Sequence, residues 1–371
     1  MPGAFCPGLR NVRGRPLSKF FTERFSALVP YTPGEQPQER QYIKLNTNES
    51  PFPPSPGVLR AVEAEAGRLQ LYSDPESRLV TEALAKRYGV RPDQVLVGNG
   101  SDELLNFAFM AYCDEACPAL FADITYGFYP VFAEINRIPW IEVPLREDLS
   151  LAPEDYLDLN GTVFIANPNA PTGLALPVSK LEAMLKARPD RIHVIDEAYV
   201  DFGAESMVPF VDRYDNLLVI QTFSKSRSMA GARLGFAIGN AELIRDLNTL
   251  KYSTNPYNVN RMSSAAGVAA LQEDDYYARN ARQIMENRAW TIERLRALGF
   301  EVTDSKSNFL FARSERIDGG ALYRGLKQRG ILVRHFDKPR ISAWVRITVG
   351  TRAQMEALLR ETKSMLEEAD V

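Results

Sequence analysis

The chain contains few of the residues on which several common kinds of site depend. Its 371 residues include three cysteines and two histidines. A small, odd number of cysteines argues against a disulfide framework and favours a reducing, cytoplasmic compartment. Cys113 and Cys117 have no histidine near them, so we expect no metal site. With two histidines and no Gly-x-Ser-x-Gly motif, a hydrolase that uses a catalytic triad is not expected either.

The sequence also lacks a long apolar run and an excess of positive charge. No apolar stretch is long enough to cross a bilayer, so we expect no membrane partner. The formal net charge of −3 gives no basic surface of the kind that binds nucleic acid. The first nineteen residues are basic, contain no acidic residue, and have no apolar stretch like that of a secretory signal. We predict that this segment is flexible or an over-extended start.

What is present is the length and the pattern of a two-domain α/β protein. A chain of 371 residues exceeds the roughly 100–200 residues typical of one domain. Strand-like apolar runs alternate with helical stretches, which predicts a mainly parallel sheet with helices on both faces. These runs lie at 95–98, 119–124, 139–143, 163–167, 192–196, 217–223 and 235–239. We predict an N-terminal arm at 1–40, a large domain at 41–255 and a smaller α+β C-terminal domain at 256–371.

Three of the apolar runs end in polar residues that would meet at one edge of such a sheet. One run ends at Asp196, with Tyr199 three residues further on, and another leads to Lys225. The third breaks into a proline-rich turn that carries Asn167 and Asn169. Because ligands bind at the carboxyl ends of parallel strands, these groups describe one site. An amine held there, rather than in solvent, is a candidate covalent nucleophile.

A fourth segment provides a site for an anion. Residues 95–112 are typical of a strand, a Gly-x-Gly turn and a helix that starts near Ser101. The free backbone N–H groups at such a helix N-terminus bind anions. The same turn is also found in dinucleotide-binding enzymes, with Asp123 as the acidic residue that follows. However, the third glycine position is Glu103, and that interpretation leaves the lysine and the strand-end acid without a role.

Several short motifs together resemble one family. Asn-Pro-x-x-Pro-Thr-Gly starts at residue 167, Asp-x-Ala-Tyr at 196, Ser-Lys at 224 and Gly-x-Arg-x-Gly at 231. Further likeness extends from about residue 28 to the C-terminus, at 30–34, 45–49, 99–103, 257–260 and 345–351. The set is similar to the pyridoxal-phosphate-dependent aminotransferases of fold type I, and within them most to the class II enzymes that act on histidinol phosphate. The resemblance implies pyridoxal 5′-phosphate as cofactor and the α/β fold of that family.

The resemblance implies a role for each residue of the site. Lys225 would bond covalently to the cofactor aldehyde and then move the substrate Cα proton. Asp196 would pair with the pyridine nitrogen, and Tyr199 would donate to the ring 3′-oxygen. Tyr126 would stack on the ring, and Tyr72 would reach the phosphate of a neighbouring subunit in a homodimer. In its own subunit the phosphate would be held by the helix N-terminus and flanking side chains, namely Gly100, Ser101, Asp102, Ser224 and Arg233.

One position departs from the family pattern. The residue before Pro-Thr-Gly is Ala170, where the family usually has an asparagine that bonds the ring 3′-oxygen. We expect Asn169 to replace that asparagine, with Asn167 as the next choice, unless Tyr199 acts alone. The path of the loop therefore decides which group bonds this oxygen.

For the substrate, the resemblance points to residues near both ends of the chain. Arg346 would hold phosphate in one half-reaction and the carboxylate of glutamate in the other. Arg334 and Tyr31 would help to bind the substrate phosphate, and Asn48 would lie near the substrate amine. The expected partners are therefore a small amino donor and a 2-oxo acid.

The implied reaction is transamination of L-histidinol phosphate with 2-oxoglutarate, giving imidazole acetol phosphate and glutamate in histidine biosynthesis. A threonine-phosphate decarboxylase, or an aromatic or aspartate aminotransferase, shares the cofactor motifs and differs mainly in the substrate pocket. A non-enzymatic regulator that binds the cofactor is a more distant alternative. Such regulators carry a helix-turn-helix ahead of the domain, and the roughly forty residues before the predicted sheet are too few and too rich in proline for one.

Overall fold

The computed structural model describes residues 18–25 and 28–369. Of the first nineteen residues, which we predict to be flexible or an over-extended start, residues 1–17 lie outside the described residues. The strands are β1 Ile43–Lys44, β2 Val95–Gly98, β3 Ala119–Ala122, β4 Trp140–Val143, β5 Thr162–Ala166, β6 His193–Asp196, β7 Leu217–Thr222, β8 Gly235–Gly239, β9 Phe300–Val302, β10 Phe309–Ser314, β11 Ile331–Leu332, β12 Arg334–His335 and β13 Trp344–Thr348. The α-helices are α1 Pro56–Ala66, α2 Arg78–Tyr88, α3 Ser101–Tyr112, α4 Tyr129–Asn136, α5 Val178–Ala187, α6 Ala241–Thr254, α7 Arg261–Gln272, α8 Asp274–Ala297, α9 Gly319–Gln328 and α10 Arg352–Ala369.

The largest sheet has seven strands in the order β2-β8-β7-β6-β5-β3-β4. The pairs β3 with β4, β3 with β5, β5 with β6 and β6 with β7 are parallel. Strand β8 is antiparallel to both of its neighbours, β2 and β7, so those two strands share the common direction. The prediction of a mainly parallel sheet is therefore confirmed, with β8 as the one reversed strand of this sheet.

The inner strands are apolar throughout because helices cover both faces of the sheet. Every residue of β5, β6 and β7 is buried. Val163 and Ile165 face a core formed with α1, α2, α5 and α7. Phe164 and Ala166 face a second core, formed with α3, α4 and α6. A continuous apolar run thus encodes a strand that packs against a helix layer on each side.

A second sheet is formed by the C-terminal part of the chain. It is antiparallel, with strand order β12-β13-β10-β9, and its apolar side chains share a core with α8, α9 and α10. Strand β1 pairs in parallel with β11, so the residues just after the N-terminal arm join this part. Helix α7, which begins beyond residue 255, packs instead in the core of the large sheet. The domain ranges 1–40, 41–255 and 256–371 stay a prediction.

The two sheets meet at the edge where the parallel strands end. A small core there combines Ala122 and Ile124, which end and follow β3, with Phe311 and Trp344 from the second sheet. The N-terminal arm crosses the same region, and Tyr31 stacks on Phe128 with ring centroids 4.3 Å apart. Side chains from three parts of the chain therefore converge at this edge. Within the described ranges, none of the helices has both the length and the apolar content needed to cross a membrane.

Candidate active site

The direction of the strands gathers polar groups at one edge of the large sheet. Asp196 is the last residue of β6, and Lys225 follows β7 by three residues. Strand β8 runs the opposite way, so its first residue lies at the same edge and Arg233 precedes it by two residues. The reversed strand β8 therefore places Arg233 at the same edge of the sheet as Asp196 and Lys225.

A cavity of about 600 Å³, including its open mouth, lies at this edge. Eight residues that the sequence predicts for the site line it: Ser101, Asp102, Tyr126, Asp196, Tyr199, Ser224, Lys225 and Arg233. The remaining lining residues are Ala166, Pro168, Ala170, Ala198, Thr222 and Ala230. The wall is thus partly small and apolar, and its polar groups are those that the sequence motifs carry.

Asp196 is a carboxylate buried at the bottom of this cavity. The Tyr129 hydroxyl donates to its Oδ2 at 3.0 Å, and the Ala198 backbone N–H donates to its Oδ1 at 3.1 Å. Burial raises the pKa of Asp196 to about 6, although the two hydrogen bonds act in the opposite direction. Because burial disfavours the ionised form, a cationic group bound in the cavity would stabilise this carboxylate.

The N-terminus of α3, which also borders the cavity, is built to receive an anion. Helix α3 starts at Ser101, directly after Gly100, whose φ of 80° suits glycine. A Cβ on Gly235 would lie 2.5 Å from the carbonyl carbon of Gly100 and from the Ser101 nitrogen, so only glycine lets β8 pass this close. The first N–H groups of a helix lack intrahelical partners and bind anions.

Side chains add charge and hydroxyl groups around this helix N-terminus. Arg233 Nη2 donates to Asp102 Oδ2 at 3.0 Å, so the guanidinium lies beside the first helical turn. The Tyr126 hydroxyl donates to Asp102 Oδ1 at 2.7 Å, which fixes the tyrosine ring at the cavity wall. Ser224 accepts from the Thr222 hydroxyl at 2.9 Å. The combination of a guanidinium, hydroxyl groups and a helix N-terminus is the donor set that a phosphate requires.

Lys225 and Tyr199 lie next to each other in the wall of the cavity. The Lys225 Nζ is 5.6 Å from the centroid of the Tyr199 ring. Lys225 forms no ion pair with any residue in 18–25 or 28–369, although Asp196 lines the same cavity. The Asn48 Nδ2 donates to the Tyr199 hydroxyl at 3.0 Å. Asn48 itself is 1% exposed and lies behind Tyr199.

The expectation that Asn169 or Asn167 bonds the ring 3′-oxygen stays a prediction, and in this structure both amides bond protein groups. Asn167 donates from Nδ2 to the Leu176 carbonyl at 3.2 Å and accepts from the Leu176 N–H at 2.7 Å. Asn169 accepts from the Thr125 hydroxyl at 2.7 Å and donates to the Ile124 carbonyl at 3.0 Å. The Asn167 amide therefore closes its own loop, the Asn169 amide ties that loop to the segment after β3, and neither residue lines the cavity.

Of the residues predicted to bind substrate, Arg334 and Arg346 lie on the second sheet and Tyr31 lies on the N-terminal arm. Arg334 and Arg346 are direct cross-strand partners on β12 and β13. Arg346 Nη2 donates to the Asn46 carbonyl at 3.1 Å, and Arg334 Nη2 donates to the Thr32 carbonyl at 2.8 Å. Among the described residues neither guanidinium has an acidic partner, and the Arg346 Nε is buried without any partner. Burial lowers the pKa of Arg346 from its ordinary value.

Tyr72 does not line the cavity of its own chain. Its side chain is 79% exposed and stacks on Tyr257, with ring centroids 4.5 Å apart. Its backbone carbonyl accepts from Arg261 Nη1 at 2.8 Å, which holds this segment in place.

Two contributors to the cavity were not predicted from the sequence. Tyr129 is fully buried, as expected for a core residue, but its hydroxyl also supports Asp196. Thr222 lines the cavity and bonds Ser224. Their position at a helix start and a strand end is a weak signal, because only the packed structure shows where such hydroxyl groups point.

Known proteins are similar to this chain over nearly its whole length. Residues 40–361 match the family described as aminotransferase class I and II. The chain belongs to that aminotransferase family. It is 48% identical over 347 residues to histidinol-phosphate aminotransferase 2 of Dechloromonas aromatica, which covers 92% of this chain and 98% of that protein. It is 47% identical over 344 residues to histidinol-phosphate aminotransferase 1 of Pseudomonas aeruginosa, again across 92% and 98%.

Solved aminotransferases have the same fold. The histidinol-phosphate aminotransferase of Sinorhizobium meliloti, in complex with pyridoxal 5′-phosphate, matches with a TM-score of 0.85. The match covers 95% of this chain and 99% of that chain at 23% sequence identity, so it concerns the fold alone. The predicted fold type I aminotransferase architecture is confirmed, with its mainly parallel sheet and a smaller antiparallel C-terminal sheet.

As in an aminotransferase, the cavity has groups that fit pyridoxal 5′-phosphate. The buried carboxylate of Asp196 suits a protonated ring nitrogen, and the open N-terminus of α3 with Arg233 suits a phosphate. The Lys225 amine, unpaired among the described residues, suits an aldehyde. These assignments of single residues remain predictions.

Replacing Asp196 by asparagine should stabilise the cofactor-free protein at alkaline pH. Burial raises the pKa of Asp196 to about 6, above its ordinary value, so the folded state binds the proton more tightly than the unfolded state. The contribution of Asp196 to stability is therefore lost as the pH rises from about 4 to about 6. At pH 8 we expect urea unfolding to give Asp196→Asn a free energy of unfolding roughly 1–3 kcal/mol larger than that of the parent. At pH 4 the two free energies should be almost equal. An equal difference at both pH values would contradict this account.

Proposed function

We propose that this chain transfers the amino group of L-histidinol phosphate to 2-oxoglutarate, giving imidazole acetol phosphate and glutamate in histidine biosynthesis. The observation that carries the proposal is the cross-strand pair Arg334 and Arg346, which has no acidic partner among the described residues. Arg346 interacts electrostatically with Tyr199 and Tyr126, which line the cavity. Two adjacent guanidinium groups suit a phosphate in one half-reaction and a carboxylate in the other. The names of relatives 47% and 48% identical to this chain support the same choice.

The cofactor of this reaction is pyridoxal 5′-phosphate, which supplies an electron-withdrawing ring that stabilises negative charge at the substrate Cα. Asp196 would hold the positive charge of the ring nitrogen, since it is the buried acid of the cavity. Lys225 would hold the cofactor covalently and, once released, take the proton from the substrate Cα. Ser224, Arg233 and the start of α3 would hold the phosphate.

We also infer that the enzyme acts as a homodimer in which Tyr72 reaches the neighbouring site. Tyr72 is 79% exposed and stacks on Tyr257, which is 43% exposed. Other large apolar side chains in the same sequence segment are exposed as well, including Leu69 at 59% and Leu71 at 50%. An exposed aromatic pair, with exposed leucines in the same sequence segment, is typical of a surface that another chain covers.

A cytoplasmic location is the remaining part of the proposal. Cys113 and Cys117 are both free thiols, which suits a reducing compartment. Fractionation of the source cells should recover the activity with other cytoplasmic enzymes, and recovery in a secreted or periplasmic fraction would contradict it.

The reaction can be tested directly with purified protein and added cofactor. Histidinol phosphate and 2-oxoglutarate should yield glutamate, and Lys225→Ala should abolish both turnover and the visible absorption band of the bound cofactor. Its far-ultraviolet circular dichroism should match the parent, because Lys225 contributes a reactive amine rather than packing. Lys186→Ala, at an exposed lysine paired with Glu182, is the matched control and should keep full activity. Carbon dioxide from threonine phosphate, without glutamate in the first reaction, would favour a decarboxylase instead.

The two arginines should differ in their effect on the two substrates. Arg346→Ala should raise KM for both histidinol phosphate and glutamate by roughly 10- to 100-fold, the worth of a charged hydrogen bond. Arg334→Ala, on the edge strand β12, should raise KM mainly for histidinol phosphate. Arg313→Ala, at an exposed ion pair with Glu301, should change neither value. Steady-state kinetics with each substrate varied in turn measures these constants, and equal losses for both substrates at Arg334 would rule out the division.

The dimer can be tested by mixing two inactive or weakened chains. Tyr72→Ala alone should weaken cofactor binding about tenfold, as expected for a lost hydrogen bond to a charged group. Refolding it with an equal amount of Lys225→Ala should restore roughly a quarter of the parent activity, because half of the dimers are hybrid and each contains one complete site. Light scattering should give a mass twice the 41.6 kDa of one chain. No gain on mixing would place Tyr72 in its own subunit's site or outside any site.

A further inference from the structure

We propose that Asn48 positions the Tyr199 hydroxyl so that its proton points into the active-site cavity, and that Asn48 does not contact the substrate. The resemblance of the sequence to its family suggests a place near the substrate amine, but the contacts of this chain point to a different role. The inference rests on the proposed function, because it takes Tyr199 to act on bound pyridoxal 5′-phosphate.

Burial separates Asn48 from the cavity. The asparagine is 1% exposed and is not among the residues that line the cavity, whereas Tyr199 lines it. A substrate amine in the cavity would therefore meet the tyrosine before it met the asparagine. The contact between the two side chains, 3.0 Å from Asn48 Nδ2 to the Tyr199 hydroxyl oxygen, is the route by which Asn48 can affect the site.

The direction of this hydrogen bond is fixed by Thr348. The Asn48 backbone N–H donates to the Thr348 Oγ1 at 2.9 Å. The single proton of that hydroxyl is then left for the Asn48 Oδ1, 3.1 Å away. With its Oδ1 used as an acceptor, the Asn48 amide presents its Nδ2 to Tyr199. A reversed amide would leave the Thr348 proton without a partner at a site only 2% exposed, which is unfavourable.

Tyr199 must consequently donate in another direction. A phenol has one proton, and its oxygen already accepts from Asn48. Within the described part of the chain, the hydroxyl has no further hydrogen-bond partner, so its proton is available to a ligand in the cavity. Neither Asn167 nor Asn169 offers a competing amide there, and Ala170 has no polar group, so this hydroxyl is a main donor for an oxygen on the bound ring.

The backbone keeps Asn48 in this position. Its φ of 56° lies in the left-handed region, which asparagine tolerates better than most residues. Its carbonyl accepts from the Asn308 Nδ2 at 2.9 Å. Asparagine thus meets both demands of the site, a left-handed backbone and an amide that accepts on one side and donates on the other.

Asn48→Asp is the sharpest test because it reverses one hydrogen bond with little change of shape. A carboxylate would accept from Tyr199 and turn the tyrosine proton away from the cavity. We expect the affinity for pyridoxal 5′-phosphate, measured by equilibrium dialysis without substrate, to fall roughly three- to tenfold. The pH at which the visible band of the bound cofactor changes should rise, because a donor to the ring oxygen is lost.

The same substitution in the Tyr199→Phe background separates the hydrogen bond from the added charge. That background keeps the introduced carboxylate and lacks the hydroxyl, so Asn48→Asp should change the affinity less than twofold there. Thr348→Val provides a second variant that adds no charge and removes the group that orients the amide. It should weaken cofactor binding in the parent and have no further effect with Tyr199→Phe.

Two results would overturn the inference. Equal losses in the parent and in the Tyr199→Phe background would show that Asn48 does not act through the hydroxyl. Unchanged cofactor affinity, with an altered KM for the amino donor alone, would place Asn48 against the substrate. The first of these readings uses cofactor affinity alone, so it stands even if histidinol phosphate is not the substrate. A parent protein that binds no cofactor would overturn the proposed function together with this inference.

Discussion

The hydrogen-bond register of β5, β6 and β7 decides where the polar groups of the cavity lie. Ala166 pairs with Asp196, and Asp196 pairs with Ile220, so the three strands reach one edge of the sheet together. A shift of one residue would turn Asp196 to the opposite face. The packing opposes such a shift, because Phe164 and its neighbour Val163 face different helix layers with cores of different shape. The position of one buried acid is therefore a consequence of the packing of the whole sheet.

Asp196 and Glu197 are neighbouring buried acids at this edge, and their hydrogen bonds give them different roles. Burial raises the pKa of Asp196 to about 6 and that of Glu197 to about 7. Glu197 is satisfied by the Met207 N–H at 2.6 Å and by the side chains of Ser206 and Gln221, so it belongs to the scaffold. Asp196 has two donors and borders a cavity, so a bound cation can still approach it. Alternation along the strand sends these acids to opposite faces.

The strands and the residues at their ends can be predicted from the sequence. Side-chain contacts that depend on the path of a loop cannot. Continuous apolar runs identify β5, β6 and β7, and Asp196 and Lys225 follow directly from where those runs stop. The side chains of Asn167 and Asn169 could not be placed, because Asn167 bonds Leu176 across its own turn and Asn169 bonds Ile124 in the segment after β3. The pairing of two arginines on different strands depends on register across a turn, which no local pattern contains.

That pair of arginines gives a physical reason for a phosphate-bearing substrate. Carbonyl oxygens of Thr32, Pro33 and Asn46 orient the guanidinium groups of Arg334 and Arg346 without cancelling their charge. Like charges directly opposite each other across two strands repel, and an arriving anion relieves that repulsion. A phosphate monoester carries about −1.5 to −2 charges near neutral pH, whereas a carboxylate carries one. A phosphate therefore relieves more of the repulsion between the two guanidinium groups than a carboxylate does. A carboxylate can still bind in the other half-reaction, since no acidic side chain among the described residues has to be displaced first.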